Sequence, residues 1–98
     1  MTIEKMQNGT QLTIKLIGRL DTITAPALDA ELKSSLNGID SLVFDLEQLE
    51  YVSSAGLRSL LVAQKTMGKQ GEMKVIHVCE DVQEIFEITG FTEIFTIE

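Results

Sequence analysis

Leu12, Ile14 and Leu16 are apolar, and Thr13 and Lys15 between them are polar. This period-two alternation predicts a strand buried on one face only. Asn8-Gly9 lies just ahead and suits a two-residue hairpin turn, so residues 2–7 are expected to pair antiparallel with residues 10–17. Further on the spacing becomes helical. Ala25, Leu28, Leu32 and Leu36 recur at helical intervals, Thr24 fits the N-cap, Pro26 fits the first turn, and Asn37-Gly38 stops the run. Leu42 to Leu46 reads as a short strand that feeds through Glu47-Gln48-Leu49-Glu50 and Tyr51-Val52 into the pair Ser53-Ser54. A second helix follows. Its inward face is expected to carry Gly56, Leu57, Leu60, Leu61, Gln64 and Met67, with Gly68 and Gly71 marking its end. Val75-Ile76-His77-Val78 predicts another strand, and Asp81 is placed to cap a third helix that uses Val82, Ile85, Phe86 and Thr89 and stops at Gly90. A last strand is expected over Glu93 to Ile97.

Strands that alternate with helices from residue 20 onward imply right-handed crossover units, and the hairpin adds an antiparallel strand. The expected architecture is α/β: a mixed β-sheet with an N-terminal antiparallel hairpin and three or more helices. With 98 residues the chain is read as a single domain, 1–98. A chain of that size buries roughly two-thirds of its unfolded surface, enough for one core without covalent staples. Apolar residues make up 44% and charged residues 23%, a globular balance rather than a disordered one.

Charge narrows the choice of partner. Eight Lys and Arg stand against fifteen Asp and Glu, net −7, so no basic surface is expected for a nucleic-acid backbone. An acidic surface favours a partner with a basic docking face, or else serves solubility alone. Cys79 is the single cysteine, which excludes an internal disulfide and fits a reducing compartment. Met1-Thr2-Ile3-Glu4-Lys5 lacks the order of a secretion signal, and no apolar run approaches spanning length, so a cytoplasmic protein without membrane insertion is expected.

Most candidate chemistry fails on spacing. His77 and Cys79 have strand alternation but lack further His or Cys ligands for zinc, and nothing nearby accounts for an activated thiol, so packing roles are expected. Gly68-Lys69-Gln70-Gly71 lacks the spacing and hydroxyl of a phosphate-binding loop and reads as a helix stop. Asp45 sits in an apolar strand, where its carboxylate needs hydrogen bonds, and the backbone amides of the Ser53-Ser54 loop are one source. No catalytic set and no metal site is expected.

Ser53-Ser54 is different. Two hydroxyls stand where a strand ends and a helix begins, and the first helical amides are unpaired and attract negative charge, so a phosphoserine there gains hydrogen bonds. Gly56 weakens the helix by about 1 kcal/mol relative to Ala, which a helix tolerates where something approaches closely, such as a phosphate or a partner. Arg58, Val62, Lys65 and Lys69 fall on the helix side opposite the leucines, either as a partner contact or as a solvated face.

The stretch Tyr51-Val52-Ser53-Ser54-Ala55-Gly56-Leu57-Arg58, with Leu42-Val43-Phe44-Asp45-Leu46 before it and Leu60-Leu61 after it, resembles the signature of the STAS domain family. Gly18-Arg19-Leu20-Asp21 and Glu87-Ile88-Thr89-Gly90-Phe91 resemble two further parts of that family's pattern, so the likeness spans nearly the whole chain. It implies a STAS-like sandwich and the role of an anti-sigma factor antagonist. In similar antagonists the motif reads aspartate-serine-serine-glycine, and its first serine takes the phosphate. That position is Ser54, with Ser53 in place of the aspartate and Ala55 in place of the second serine, which makes Ser53 the second choice of acceptor.

The resemblance further implies an anti-sigma factor serine kinase as partner and a metal-dependent serine phosphatase that restores the hydroxyl. ATP is held by the kinase, so no cofactor is expected in this chain. Asp21 lies in the loop that the family places near the acceptor, either orienting the kinase or serving as a turn residue. The expected partner surface is Asp21, Ser53, Ser54, Ala55, Gly56, Arg58, Val62 and Lys65. The alternative is a docking subunit of a transporter or sensory complex that is never phosphorylated.

Overall fold

The computed structural model describes residues 1–98. Strands β1 (Thr2–Asn8) and β2 (Gln11–Leu20) form the expected hairpin, with Thr2 opposite Ile17 and Asn8 opposite Gln11. The turn is Gly9-Thr10, one residue later than expected, and Gly9 supplies the positive φ of 66°. There follow α1 (Ala25–Ser35), β3 (Ser41–Val52), α2 (Ser54–Gly68), β4 (Glu72–Ile76), α3 (Glu80–Thr89), a 3-10 turn (Phe91–Glu93) and β5 (Thr96–Ile97).

The five strands lie side by side in chain order, β1 antiparallel to β2 and the remainder parallel. Every crossover therefore steps in the same direction, and right-handed connections place all the helices on one face. Burial follows that rule. Leu12, Ile14, Leu16, Leu42, Phe44, Leu46, Met73 and Val75 are buried beneath the helices, while Thr13, Lys15, Asp45 and Lys74 on the other face are only half-buried. The helices complete the same core with Leu28 and Leu32 of α1, Leu57, Leu60 and Met67 of α2, and Val82 and Phe86 of α3. Ser59 and Ala63 of α2 are buried as well, and the expected inward residues Leu61 and Gln64 are half-buried.

The C-terminal third departs from expectation in three places. β4 stops at Ile76, because His77 takes a left-handed φ of 58° that ends extended pairing. His77 and Cys79 thus do not share a strand face. The N-cap of α3 is Cys79, and Asp81 lies with Glu80 in the first turn, where carboxylates favour the helix dipole without capping it. Strand pairing at the end is limited to Thr96–Ile97, since Phe91–Glu93 coil inward and Phe95 packs edge-on against Phe86, ring centroids 5.5 Å apart.

Candidate functional site

Leu20 pairs with Val52 at the ends of β2 and β3, and the backbone N–H of Ser53 donates to Leu20 O at 2.9 Å. The loop after β2 and the start of α2 are thereby held side by side. α2 crosses Leu20 so closely that a β-carbon at Gly56 would lie 2.6 Å from Leu20 Cγ. The close neighbour that requires this glycine is the protein's own strand, not an incoming phosphate or partner.

The two serines have separate surroundings. Ser53 is the N-cap, extended at φ −90° and ψ 176°, and its Oγ accepts from Gly56 N at 3.3 Å. Ser54 is the first helical residue, exposed, and its hydroxyl has no hydrogen-bond partner. The amides of Ser54 and Ala55 head the helix beside it, where no intrahelical acceptor exists.

Asp21 organises the facing loop. Its Oδ1 accepts from Ile23 N at 3.0 Å and Thr24 N at 3.1 Å, and its own N–H donates to Thr24 Oγ1 at 2.9 Å. Thr24 is the N-cap of α1 by position, but its hydroxyl serves this turn and not the helix. The Thr24 amide foremost holds the Asp21 carboxyl below its ordinary value; the Thr24 hydroxyl, the Ile23 amide and the Arg19 charge add to this, and desolvation opposes it. The turn role of Asp21 is therefore visible in its bonds.

Arg58, Val62 and Lys65 are exposed on the outer side of α2, Val62 at 52%. Asp45 does not reach the serine loop. β3 runs on from Asp45 to Val52, roughly 20 Å at ~3.3 Å per residue, and the carboxylate instead accepts from Glu47 N and meets His77 Nδ1, each at 3.1 Å. Cys79 packs against the core as expected and its Sγ donates to Leu49 O at 3.3 Å, whereas the expected packing role of His77 fails, since its side chain is exposed and meets Asp45 instead.

Several neighbours of the serines escaped the sequence reading. A groove of about 570 Å³ between α1 and α2 opens beside Ala55 and takes in Thr22, Pro26, Lys33 and Arg58. Ile23, 87% exposed, projects from the Asp21 turn, and its apolar side chain amid polar turn residues is the signal that was available. Arg19 lies over the Tyr51 ring at 4.4 Å, a pairing set by the strand register Arg19 to Tyr51.

This fold and loop define a small one-sided α/β module with a free hydroxyl at a helix entrance. The STAS domain model matches residues 2–98, and the chain belongs to the STAS domain family. BtrV of Bordetella bronchiseptica, named as a candidate anti-sigma factor antagonist, is 38% identical over 99 residues, covering 99% of this chain and 84% of that protein. The anti-sigma-B factor antagonist of Bacillus subtilis is 26% identical over 98 residues, with 99% and 90% covered. Among solved structures, an anti-sigma factor antagonist from Mycobacterium paratuberculosis superposes with a TM-score of 0.88 at 24% identity, covering 98% of this chain and 83% of that one. The Bacillus cell fate determinant SpoIIAA in its phosphorylated form matches at 0.76 and 15%, covering 99% and 91%. These two structures speak for the fold alone. No helix of the chain is long and apolar enough to cross a membrane.

Proposed function

We propose that the chain is an anti-sigma factor antagonist that switches partners through phosphorylation of Ser54. The observation that carries this reading is the division between the two serines: the Ser53 oxygen is already engaged by Gly56 N, and the Ser54 hydroxyl is exposed and unbonded. The names of the curated relatives supply the biological frame. In this reading the unmodified protein uses Asp21, Ser53, Ser54, Ala55, Gly56, Arg58, Val62 and Lys65 to hold an anti-sigma factor that is itself a serine kinase. A sigma factor is thereby released, in the cytoplasm, and a metal-dependent serine phosphatase resets the chain.

The energetics place the effect on binding. A phosphate adds about −1.5 to −2 charges at neutral pH and meets the unpaired amides of the helix start. Negative charge there is favourable by about 0.3–1 kcal/mol, small beside a domain stability of roughly 5–15 kcal/mol, so the fold tolerates the modification. At a partner interface the same group has to be stripped of water, or blocks the partner's approach by its bulk. Each 1.4 kcal/mol of that penalty weakens affinity about tenfold.

The test is to incubate the protein with the candidate kinase and ATP, then measure intact mass and map the phosphopeptide. One phosphate on Ser54, absent from Ser54→Ala, with that variant remaining bound to the kinase in ATP, is the expected result. Phosphate on Ser53 reassigns the acceptor, and binding that ignores ATP in both proteins supports the permanent docking subunit instead.

A further inference from the structure

The groove between α1 and α2 begins at the acceptor. Ser59 and Ala63 of α2 and Leu32 and Leu36 beside α1 form its buried floor, exposed Pro26 and Val62 and half-buried Ala55 supply its accessible apolar surface, and Gln70 closes the far end with Nε2 donating to Leu36 O and Ile39 O, 2.6 Å each. Pro26, Ala55 and Val62 flank a shallow furrow of the kind that takes an apolar helix face.

Charge on this side runs against the molecular average. The chain carries net −7, yet Lys33 and Arg58 edge the groove, Lys65 and Lys69 extend the line along α2, and none of the four forms an ion pair. Asp29 is the sole carboxylate residue lining the groove. Of the remaining cations Lys5 pairs with Glu31, Arg19 with Asp21 and Lys74 with Glu98, while Lys15 lies in β2 on the sheet face away from the helices. Net charge is therefore a poor guide to the partner, and a basic docking face is not what this side favours.

We infer that the α1–α2 face docks an acidic amphipathic helix of the protein partner, and that a phosphate on Ser54 closes the face by capturing Arg58. Carboxylates of the incoming helix pair with Lys33, Arg58 and Lys65, and its apolar side covers Val62 and the groove. Ser54 and Arg58 are one helical step apart, so their side chains lie over each other with the acid nearer the N-terminus, the favoured order. A phosphate accepts the guanidinium fork in charge-assisted bonds and repels the partner's carboxylates. The second half of the inference rests on the switch reading; the cationic strip belongs to the unmodified chain.

Two experiments test it without any kinase. Amide NMR shifts of the full chain are followed during titration with a stapled amphipathic leucine–glutamate peptide and with its leucine–lysine counterpart. The acidic peptide is expected to perturb residues 25–36 and 55–69, and the double variant Lys33→Gln/Arg58→Gln to bind it about three- to tenfold more weakly. Perturbations elsewhere, unchanged affinity in the double variant, or the same footprint for the lysine peptide overturn the strip. In the second experiment phosphoserine is genetically encoded at position 54 and titrated by phosphorus NMR. Its second pKa is expected to lie about 0.3–0.5 below that of the same protein carrying Arg58→Gln, and equal values overturn the capture. A chain that binds the acidic peptide as expected but accepts no phosphate from a kinase keeps the strip and loses the switch.

Discussion

A β-carbon at Gly56 would meet Leu20 Cγ at 2.6 Å and the Leu20 carbonyl oxygen at 2.9 Å. Alanine improves helix propensity by about 1 kcal/mol, but crowding of this kind costs about 1–3 kcal/mol, and a backbone oxygen in a paired strand yields little. Gly56→Ala is therefore expected to lower stability by about 1 kcal/mol in urea unfolding, and a stabilised variant would show the contact to be loose. Ser53→Ala removes the side-chain acceptor at the head of α2, a loss of about 1 kcal/mol by the same measurement. Because Ser54 does not share that bond, the variant should still be phosphorylated at Ser54; failure to accept phosphate there would tie the two serines together. The Ser53 cap and the exposed start of the helix at Ser54 were legible in the sequence, because each needs only its place relative to a helix start, whereas the acceptor assignment rests on the family resemblance. The reason for Gly56 was not legible, since the atom it avoids belongs to a strand distant in the chain.

At the scale of elements, β3 is the instructive case. Lys15 pairs with Asp45 but Ile17 with Gln48, and Gly18 pairs with Leu49 but Arg19 with Tyr51, so β3 carries an extra residue at each shift. These bulges turn Leu46, Leu49 and Val52 inward at three-residue spacing, which hides a strand from any search for alternation. The helices announced themselves better: Thr24, Pro26 and Gly90 stand where the expected α1 cap, first turn and α3 stop were placed, and only the α3 cap moved, from Asp81 to Cys79. The β2–α1 turn yields a pH prediction. The folded Asp21 carboxyl lies below its ordinary 3.8, so its bonds add stability that is complete above that value and lost as pH falls through the folded value. Glu31, held below its ordinary 4.5 chiefly by Lys5, adds a contribution of the same sign between α1 and β1. Asp21→Asn should lose less stability than wild type between about pH 6 and pH 3 in denaturant titrations. Parallel losses in the two proteins would contradict the assignment.

Across the whole molecule, one-sided packing leaves the groove between α1 and α2 open while the core beneath is closed, so a partner can be gained or lost without cost to folding. Arg58, Val62 and Lys65 could be read from sequence because they share one helix, whereas Lys33 could not, since it joins them only when α1 and α2 both pack on the sheet. The central claim is that phosphate on Ser54 governs which partner is held. The most direct measurement is calorimetric titration of the anti-sigma factor kinase with the unmodified chain and with the chain carrying encoded phosphoserine at position 54. The account predicts at least about tenfold weaker binding of the phosphorylated form, with thermal unfolding of the two forms nearly the same; equal affinities would contradict it.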